Sequence, residues 1–409
     1  MSAELTTLSN GLRIVTVAMA GLETVAVGLH AESGSRHEAA SESGVAHMVE
    51  HMVFKGTASR TARGIAEAVE DVGGALNAYT SRDGTTFHAR LLAGDLPLGI
   101  ELIADLVRNP RFDADELERE KGVVLSELGE ARDTPDDIVF DNLQGAAFPD
   151  QTLGRSILGD EGSISALTVG QLRGWLDTQY RPGSLILSVA GKVDHSAVVR
   201  LAENLFADLP PGRRGAAPKA TFAGTAHLDT RRCEQAHLTL GFEGVATRDP
   251  DQLPLRLFSE ALGGGMSSRL FQELREERGL AYSIYSSDVH YDDTGLFTVY
   301  LATARRDAAR ALALVDRVMA ETVETLDTRE VDRARAQSKA GLLMALESAQ
   351  GQADFWARGL AVYGRLMPPA DLVAELDAIT VEQVRNAGRR VLSGPRASAQ
   401  IGAPKRKAA

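Results

Sequence analysis

The chain has 409 residues, enough for two domains or a duplicated pair, with an ordinary 44% of hydrophobic and 24% of charged residues. Its net charge of -12 argues against nucleic acid as the main partner, because phosphate binding needs a basic surface. The single cysteine, Cys233, excludes an intrachain disulfide bond.

No apolar stretch approaches the roughly 20 residues that a bilayer-spanning helix requires. The first ten residues lack the basic and apolar regions of a signal peptide, and with an early Glu and no Arg they make a poor transit peptide. From these features we expect no membrane association and a cytoplasmic location.

The first half of the chain mixes short strands with longer helices. Runs rich in Val, Ile and Thr predict strands at 12–17 and 24–31, and a continuous apolar run predicts one at 184–191. Two more strands are predicted at 75–80 and 85–92, joined by a turn at Arg82-Asp83-Gly84. Periodic segments that end at glycine or at Asn109-Pro110 predict helices at 41–55, 60–72, 96–108, 113–132, 137–148, 169–179 and from the last strand to about 207.

A change of composition follows these elements. Residues 209–218 hold three prolines and two glycines in ten positions, which is typical of a linker between packed units. We therefore predict a catalytic N-terminal domain over 1–209, a linker over 210–225 and a homologous C-terminal domain over 226–409.

The second half repeats the plan of the first. Thr168-Val-Gly-Gln171 and Thr380-Val-Glu-Gln383 both predict a helix with a capping box, and they lie 212 residues apart. The apolar strand at 184–191 has its counterpart at 396–402 with the same offset. A repeat of this length indicates a duplicated domain. We predict an α+β fold of two homologous domains, each with helices on one face of an antiparallel-rich sheet.

The segment from Gly44 to Phe54 carries the most informative motif, His47-Met-Val-Glu50-His51. On a helix, His47 and His51 lie one turn apart on one face and can bind the same ion, and Glu50 flanks them. Catalytic zinc usually takes three protein ligands and one water molecule, and a nearby carboxylate accepts the proton of that water. This is the His-x-x-Glu-His pattern of the inverzincin metallopeptidases.

A third ligand must come from another element. The predicted helix at 113–132 carries several carboxylates, and Glu120 and Glu127 face the same way because they are seven residues apart. Spacing alone leaves Glu120, Glu127 and Glu130 open as candidates. The second half contains no comparable motif, so we expect the duplicated copy to lack a metal site.

Over nearly its whole length the chain resembles the pitrilysin family, and most closely its mitochondrial-processing-peptidase-like branch in bacteria. The resemblance includes Asn10-Gly-Leu-Arg13, Phe54-Lys-Gly-Thr57 and the segment 154–159. In that family a liganding Glu follows the motif by about 75 residues, and 75 residues separate His51 from Glu127 here.

The resemblance implies that His47, His51 and Glu127 hold one zinc ion per chain and that Glu50 activates the water. Manganese or cobalt can substitute for zinc at such ligands. The family also has a Glu seven residues before the ligand, and Glu120 matches it. We therefore count Glu120 with Glu50 as a catalytic candidate that orients a liganding histidine.

Substrate-binding residues are also implied. Asn77, Ala78 and Tyr79 match the family's edge strand, to which a peptide adds as an extra strand. Arg275 and Tyr282, seven residues apart, match a pair that contacts the substrate. The glycine-rich loop at 263–265 is open to interpretation, as a flexible substrate loop or as a plain helix terminator.

We thus expect a zinc metalloendopeptidase that cuts peptides or unfolded segments inside a chamber of four αβ modules. Because one chain carries both the metal motif and the Arg275/Tyr282 pair, we expect a homodimer, with a heterodimer as the other possibility. The alternative function is a non-catalytic structural or partner subunit of a processing-peptidase-like complex.

Overall fold

The computed structural model describes residues 3–403, which form two compact units. The first unit comprises residues 3–128, 156–218 and 343–368, and the second comprises 129–155, 219–342 and 369–403. These units differ from the contiguous domains predicted from the sequence. Residues 129–155 pack within the second unit, and residues 343–368 pack within the first.

Eleven strands are present in residues 3–403. They are β1 (Ala3–Thr7), β2 (Arg13–Ala18), β3 (Thr24–Ala31), β4 (Ala75–Thr80), β5 (Thr85–Leu92), β6 (Leu185–Gly191), β7 (Ala226–Asp229), β8 (Gln235–Glu243), β9 (Ala281–His290), β10 (Gly295–Ala304) and β11 (Arg396–Ile401). Strands β3, β4 and β5 have the bounds predicted from the sequence. Strand β1 has no predicted counterpart.

Fourteen α-helices lie in the same range. They are α1 (Val45–Val53), α2 (Ala62–Glu70), α3 (Leu96–Arg108), α4 (Ala114–Asp133), α5 (Pro135–Ala147), α6 (Glu161–Ala166), α7 (Val169–Gln179), α8 (His195–Phe206), α9 (Gln252–Ser259), α10 (Ala308–Thr325), α11 (Thr328–Ala345), α12 (Ala349–Tyr363), α13 (Pro369–Ala378) and α14 (Val381–Leu392). Over residues 3–403, none combines the length and the apolar character that crossing a bilayer would need.

Each unit contains one sheet, and the two sheets share a topology. The first has the strand order β1-β2-β6-β3-β5-β4, and the second has the order β7-β11-β8-β10-β9. Neighbouring strands are antiparallel except for β2 with β6 and β11 with β7. The run β6-β3-β5-β4 therefore recurs as β11-β8-β10-β9. The predicted α+β fold with a duplicated domain is confirmed.

Alternate residues of each central strand enter different cores, as the period of two in a strand requires. In β3, Val25, Val27 and Leu29 belong to the main core of the first unit, which also contains most of α1 and α3. Ala26 faces the other way and joins a smaller core with Trp356 of α12. Because helices cover both faces of the sheet, β6 is buried along its whole length.

The second unit has the same arrangement. Its main core lies between the sheet and helices that include α9, α10 and α14. Helix α5 packs on the other face, against β8 and β11. Most helices thus lie on one face of each sheet, and the structure adds a single helix on the opposite face, α12 in the first unit and α5 in the second.

Helix α1 begins four residues later than the sequence predicts. Gly44 has a left-handed backbone with φ of 89°, and residues 40–42 form a separate 3-10 turn. A Cβ at position 44 would lie 2.8 Å from the carbonyl oxygen of Leu158, so only glycine fits there. The sharp turn at Gly44 sets the point where the helix starts.

The N-terminus of α1 is capped from outside the helix. The buried Glu38 carboxylate accepts hydrogen bonds from the backbone N–H groups of Gly44 at 2.8 Å and Ala46 at 2.9 Å. No acidic residue lies in the first turn of α1 itself. Glu38 therefore supplies both the hydrogen-bond acceptors and the negative charge that a helix N-terminus favours.

Replacing Glu38 with Gln should destabilise α1, because one of the two N–H donors then faces an amide group and the negative charge is lost. We expect the free energy of unfolding of the metal-free protein to fall by about 1.5–3 kcal/mol. Hydrogen exchange of the amides at 44–48 and the thermal unfolding midpoint measure the effect. The exposed Glu70, changed to Gln, is the matched control. Equal exchange in both variants would contradict the capping role.

Candidate metal centre

Helix α1 presents three polar side chains from an otherwise buried segment. Its apolar residues Val45, Ala46, Met48, Val49, Met52 and Val53 are all buried. His47, Glu50 and His51 remain partly accessible. The spacing of four residues places the two imidazoles on one face, one turn apart, and burial of the apolar residues fixes the direction in which that face points.

Helix α4 brings the carboxylate to these imidazoles. His47 Nε2 and His51 Nε2 lie 3.2 Å apart. Glu127 Oε2 lies 3.8 Å from His47 Nε2 and 3.6 Å from His51 Nε2. Among residues 3–403, these three form the one group of His, Cys, Asp or Glu side chains arranged to hold a metal ion.

The distances between the three atoms suit a zinc ion. Ligands about 2.0–2.2 Å from a tetrahedral zinc ion are about 3.3–3.6 Å from one another. Two nitrogen ligands and one oxygen ligand are also a usual donor set for a catalytic zinc site, which keeps a fourth position for water or substrate. The residues present therefore fit zinc, and the geometry selects Glu127 from the three carboxylates that the sequence left open.

Glu120 lies behind His51 and not among the ligand atoms. Its Oε1 is 2.9 Å from His51 Nδ1, and its side chain is only 5% exposed. If Nδ1–H donates this hydrogen bond, the lone pair of Nε2 faces His47 and Glu127, as metal binding requires. The catalytic candidate Glu120 is thus placed to orient a ligand.

His47 has a different environment. Its Nδ1 atom is buried and has no hydrogen-bond partner among residues 3–403. Burial, and then the neighbouring His51 imidazole, lower the pKa of His47 to about 4. The ring is therefore neutral near pH 7, which is the form that binds a metal ion.

Glu50 lies beside the ligand group without belonging to it. Burial raises the pKa of its carboxyl, and the charge of Glu127 adds to this shift. The hydroxyl and backbone N–H of Thr80 and the His51 imidazole act in the opposite direction on the same pKa. A carboxyl with a raised pKa suits a group that accepts and returns a proton near neutral pH.

The predicted peptide-binding residues lie on strand β4. Among residues 3–403 this strand pairs with β5 alone, so its other side is an open edge of the sheet. Asn77 and Tyr79 are exposed, and Ala78 is buried. The N–H of Ala78 donates to Asn77 Oδ1 at 2.8 Å. Thr80, at the end of the strand, connects this edge to Glu50.

Arg275 and Tyr282 lie together in the second unit. Arg275 belongs to a π-helical segment, Phe271–Glu276, and Nη1 donates to the carbonyl oxygen of Tyr282 at 2.9 Å. The guanidinium group lies 4.7 Å from the centre of the Tyr282 ring and 4.6 Å from that of Phe271. The Tyr282 side chain is exposed.

The glycine-rich loop has a packing explanation at one position. A Cβ at Gly263 would lie 2.4 Å from the backbone nitrogen of Ser286, so the close approach of these two segments requires glycine. Gly263 and Gly264 are the last two residues of a π-helical segment, Glu260–Gly264. This accounts for Gly263 without a role in binding.

Several residues around the centre were not singled out by the sequence. Glu38 caps α1, Thr80 lies beside Glu50, and Lys55 contacts Glu120. Lys55 follows the metal motif within Phe54-Lys-Gly-Thr57, which the sequence analysis used only as a mark of resemblance. Glu38 belongs to no motif, and Thr80 is the last residue of the predicted edge strand at 75–80 but received no role of its own. The roles of both residues depend on contacts between separate elements.

An inverted His-x-x-Glu-His helix that meets a distant Glu beside an open sheet edge defines the metallopeptidase class of site. The comparisons with known proteins agree with this class. Residues 13–161 match the family profile described as Insulinase (Peptidase family M16), and residues 166–338 match that of the Peptidase M16 inactive domain. The chain belongs to the insulinase family, M16, which is the pitrilysin family expected from the sequence.

Curated relatives span almost the whole chain. A protein of Rickettsia felis is 35% identical over 97% of this chain and 96% of its own length. One from Mycobacterium tuberculosis is 36% identical over 97% and 92% of the two chains, and one from Bacillus subtilis is 33% identical over 97% of each. All three are named uncharacterized zinc proteases.

Solved structures share the fold. A protease from Helicobacter pylori matches with a TM-score of 0.90 at 23% identity, over 98% of this chain and 99% of that one. A Pseudomonas fluorescens structure described as a peptidase M16 inactive domain matches with a TM-score of 0.90 at 24% identity, over 99% and 98%. At this identity the likeness supports the fold alone.

In the metal-free protein, the His47 imidazole should stay neutral well below its ordinary pKa of 6.5, because burial lowers the pKa to about 4. An unfolded chain takes up this proton near pH 6.5, so the metal-free protein should lose stability as the pH falls from about 6.5 towards 4. An NMR titration of the ring signals, with His47→Gln to assign them, measures the pKa. A midpoint near 6.5 would be inconsistent with the buried, neutral ring.

Proposed function

We propose that this protein is a zinc-dependent endopeptidase that hydrolyses peptides or unfolded segments. The observation that carries the proposal is the convergence of His47, His51 and Glu127 from two helices, with Glu50 next to them and outside the ligand group. Membership of a peptidase family and relatives named zinc proteases support the same function.

His47 Nε2, His51 Nε2 and Glu127 Oε2 would hold one zinc ion. When bound, the ion polarises the substrate carbonyl and lowers the pKa of a coordinated water molecule towards about 7. Manganese or cobalt could take the same ligands. The neutral state of His47 at pH 7 means that no proton must leave this ligand when the ion binds.

Glu50 is the proposed general base and acid. Its carboxylate accepts a proton from the attacking water as the new C–O bond forms at the scissile carbonyl. It then returns that proton to the amide nitrogen as the C–N bond breaks, so that the carboxylate is regenerated. Burial of Glu50 and its contact with Thr80 keep its carboxyl beside the ligand group through both transfers.

Strand addition at β4 is the proposed mode of peptide binding. An extended peptide would pair with the open edge and take the N–H of Ala78, displacing the Asn77 side chain that now accepts from it. Tyr79 offers an exposed aromatic surface for substrate side chains. Backbone pairing requires an extended segment, so peptides and unfolded regions are the expected substrates, and folded domains are not.

Arg275 and Tyr282 are proposed to contact the substrate as well. This role rests on the family resemblance and on the mutual contact of the two side chains. Since a single chain carries both this pair and the metal motif, we also propose a homodimer of identical subunits, with a heterodimer as the alternative.

The alternative function is a non-catalytic partner subunit. The profile match at 166–338, to a domain described as inactive, fits both functions because it concerns the half without the metal motif. A complete ligand group with its own base favours the enzyme. Activity of the isolated protein therefore decides between the two.

Glu50→Gln should retain zinc and lose peptidase activity, since the amide cannot accept the proton of the attacking water. We expect a fall in kcat/KM of about a hundredfold to ten-thousandfold. Cleavage of an unstructured quenched fluorescent peptide, together with the zinc content of each protein, gives the measurement. Glu130→Gln, an exposed carboxylate on α4, is the matched control and should change neither quantity.

Unchanged hydrolysis in Glu50→Gln would remove the proposed base. No hydrolysis by the zinc-loaded wild-type protein, over a set of peptides of varied sequence, would favour the non-catalytic subunit.

A further inference from the structure

The Glu120 carboxylate is held by a hydrogen bond and an ion pair, whose partners both come from α1 or the residues just after it. Oε1 is 2.9 Å from His51 Nδ1, and Oε2 is 2.7 Å from Lys55 Nζ. The Glu120 side chain is almost completely buried, with 5% exposed. Each oxygen therefore has one specific partner, and the pair of contacts sets both the position and the tilt of the carboxylate.

This carboxylate is the one orienting contact behind the two imidazoles in the described part of the chain. His51 has Glu120 at Nδ1, while the Nδ1 of His47 is buried without a partner. The His51 ring packs against that of His47, with ring centres 4.4 Å apart. The fixed position of Glu120 therefore orients the His51 ring, against which the His47 ring packs.

Lys55 is itself fixed in place by the end of α1. Its backbone N–H donates to the carbonyl oxygen of Met52 at 3.2 Å. In the turn that follows, the hydroxyls of Thr57 and Ser59 each donate to Asp105 Oδ2 at 2.6 Å, which anchors the turn to α3. The side chain of Lys55 is 34% exposed, so it reaches inward from an anchored backbone to a buried partner.

The ion pair also joins the two helices that supply the ligands. Helix α4 carries Glu120 and, two turns later, Glu127. A contact from Lys55 to Glu120 therefore constrains α4 relative to α1 close to the point where Glu127 Oε2 approaches the imidazoles. Loss of the contact would release the carboxylate behind His51 and loosen the spacing of the ligand atoms.

We propose that Lys55 is a positioning residue of the metal centre: by holding Glu120 Oε2, it keeps Oε1 in line with His51 Nδ1–H, so that His51 presents Nε2 to the ion. This rests on the proposed function, because it takes His51 as a metal ligand. Lys55 touches neither the ion nor the substrate in this role, and acts only through Glu120.

A solvent-exposed Lys–Glu pair contributes little to stability, and such a pair would leave metal binding unchanged. The Lys55–Glu120 pair differs because the carboxylate is buried. Removing the cation takes the Lys55 countercharge away from a buried carboxylate, and an unpaired buried charge destabilises the structure around it. Losses of partners that orient metal ligands typically reduce metal affinity by about 10- to 100-fold.

The test is the zinc affinity of Lys55→Met in the full chain, measured by competition with a chromophoric chelator at constant pH. We expect the affinity to fall by about 10- to 100-fold, and Lys55→Arg to recover most of the loss because it restores a cation. Lys192→Met is the matched control, since Lys192 forms an exposed ion pair with Glu23 at 2.8 Å, and its zinc affinity should equal that of the wild type. Lys55→Gln provides a second neutral variant if the Met variant does not fold.

A double-mutant cycle with Glu120→Gln tests the route of the effect. If Lys55 acts through Glu120, Lys55→Met should change zinc affinity by less than about twofold in the Glu120→Gln background. Wild-type affinity in both neutral Lys55 variants, or an undiminished effect in the Glu120→Gln background, would overturn the inference. Failure of the wild-type protein to bind zinc would instead overturn the proposed function, so the two failures are distinguishable.

Discussion

The fixed position of α1 is the constraint on which the metal centre depends. The spacing of the two imidazoles on α1 gives them a shared face, but they meet the carboxylate from α4 only if α1 cannot rotate or slide, and the burial of six apolar residues prevents rotation. Contacts at both ends prevent sliding. Glu38 holds the N–H groups at the start, and the turn anchored on Asp105 holds the end. Glu127 can then reach the ion shared by the two imidazoles if the distance between α1 and α4 is also fixed.

The sheet of the first unit serves this arrangement in two ways. Its inner face packs against α1 and α3, and its outer face is covered by α12, so the central strands are buried on both sides and form a rigid base. Strand β4 lies at the edge and keeps one side unpaired. The site therefore combines a rigid support for the ligands with unpaired backbone N–H and C=O groups on the outer side of β4. Thr80 links the two, because it ends β4 and lies beside Glu50.

Positions set by a local repeat in the sequence could be predicted. Positions set by contacts between distant segments could be identified only from the structure. The spacing of His47 and His51 on one helix gives a shared face, the Val-rich and Thr-containing composition of 24–31 gives β3, and the turn at 82–84 separates β4 from β5. Helical spacing indicates the face of α4 on which Glu120, Glu127 and Glu130 lie. It does not give their distances from α1, so it could not identify which of them is the third metal ligand. Glu38 and Lys55 act on partners outside their own elements, and the positions of α5 and α12 depend on tertiary packing that no local pattern encodes.

Zinc-anomalous diffraction from crystals of the zinc-loaded protein tests the central claim most directly. The account predicts one anomalous peak per chain, about 2.0–2.2 Å from His47 Nε2, His51 Nε2 and Glu127 Oε2. A zinc ion bound to other residues, with the Glu127 carboxylate turned away from both imidazoles, would contradict it.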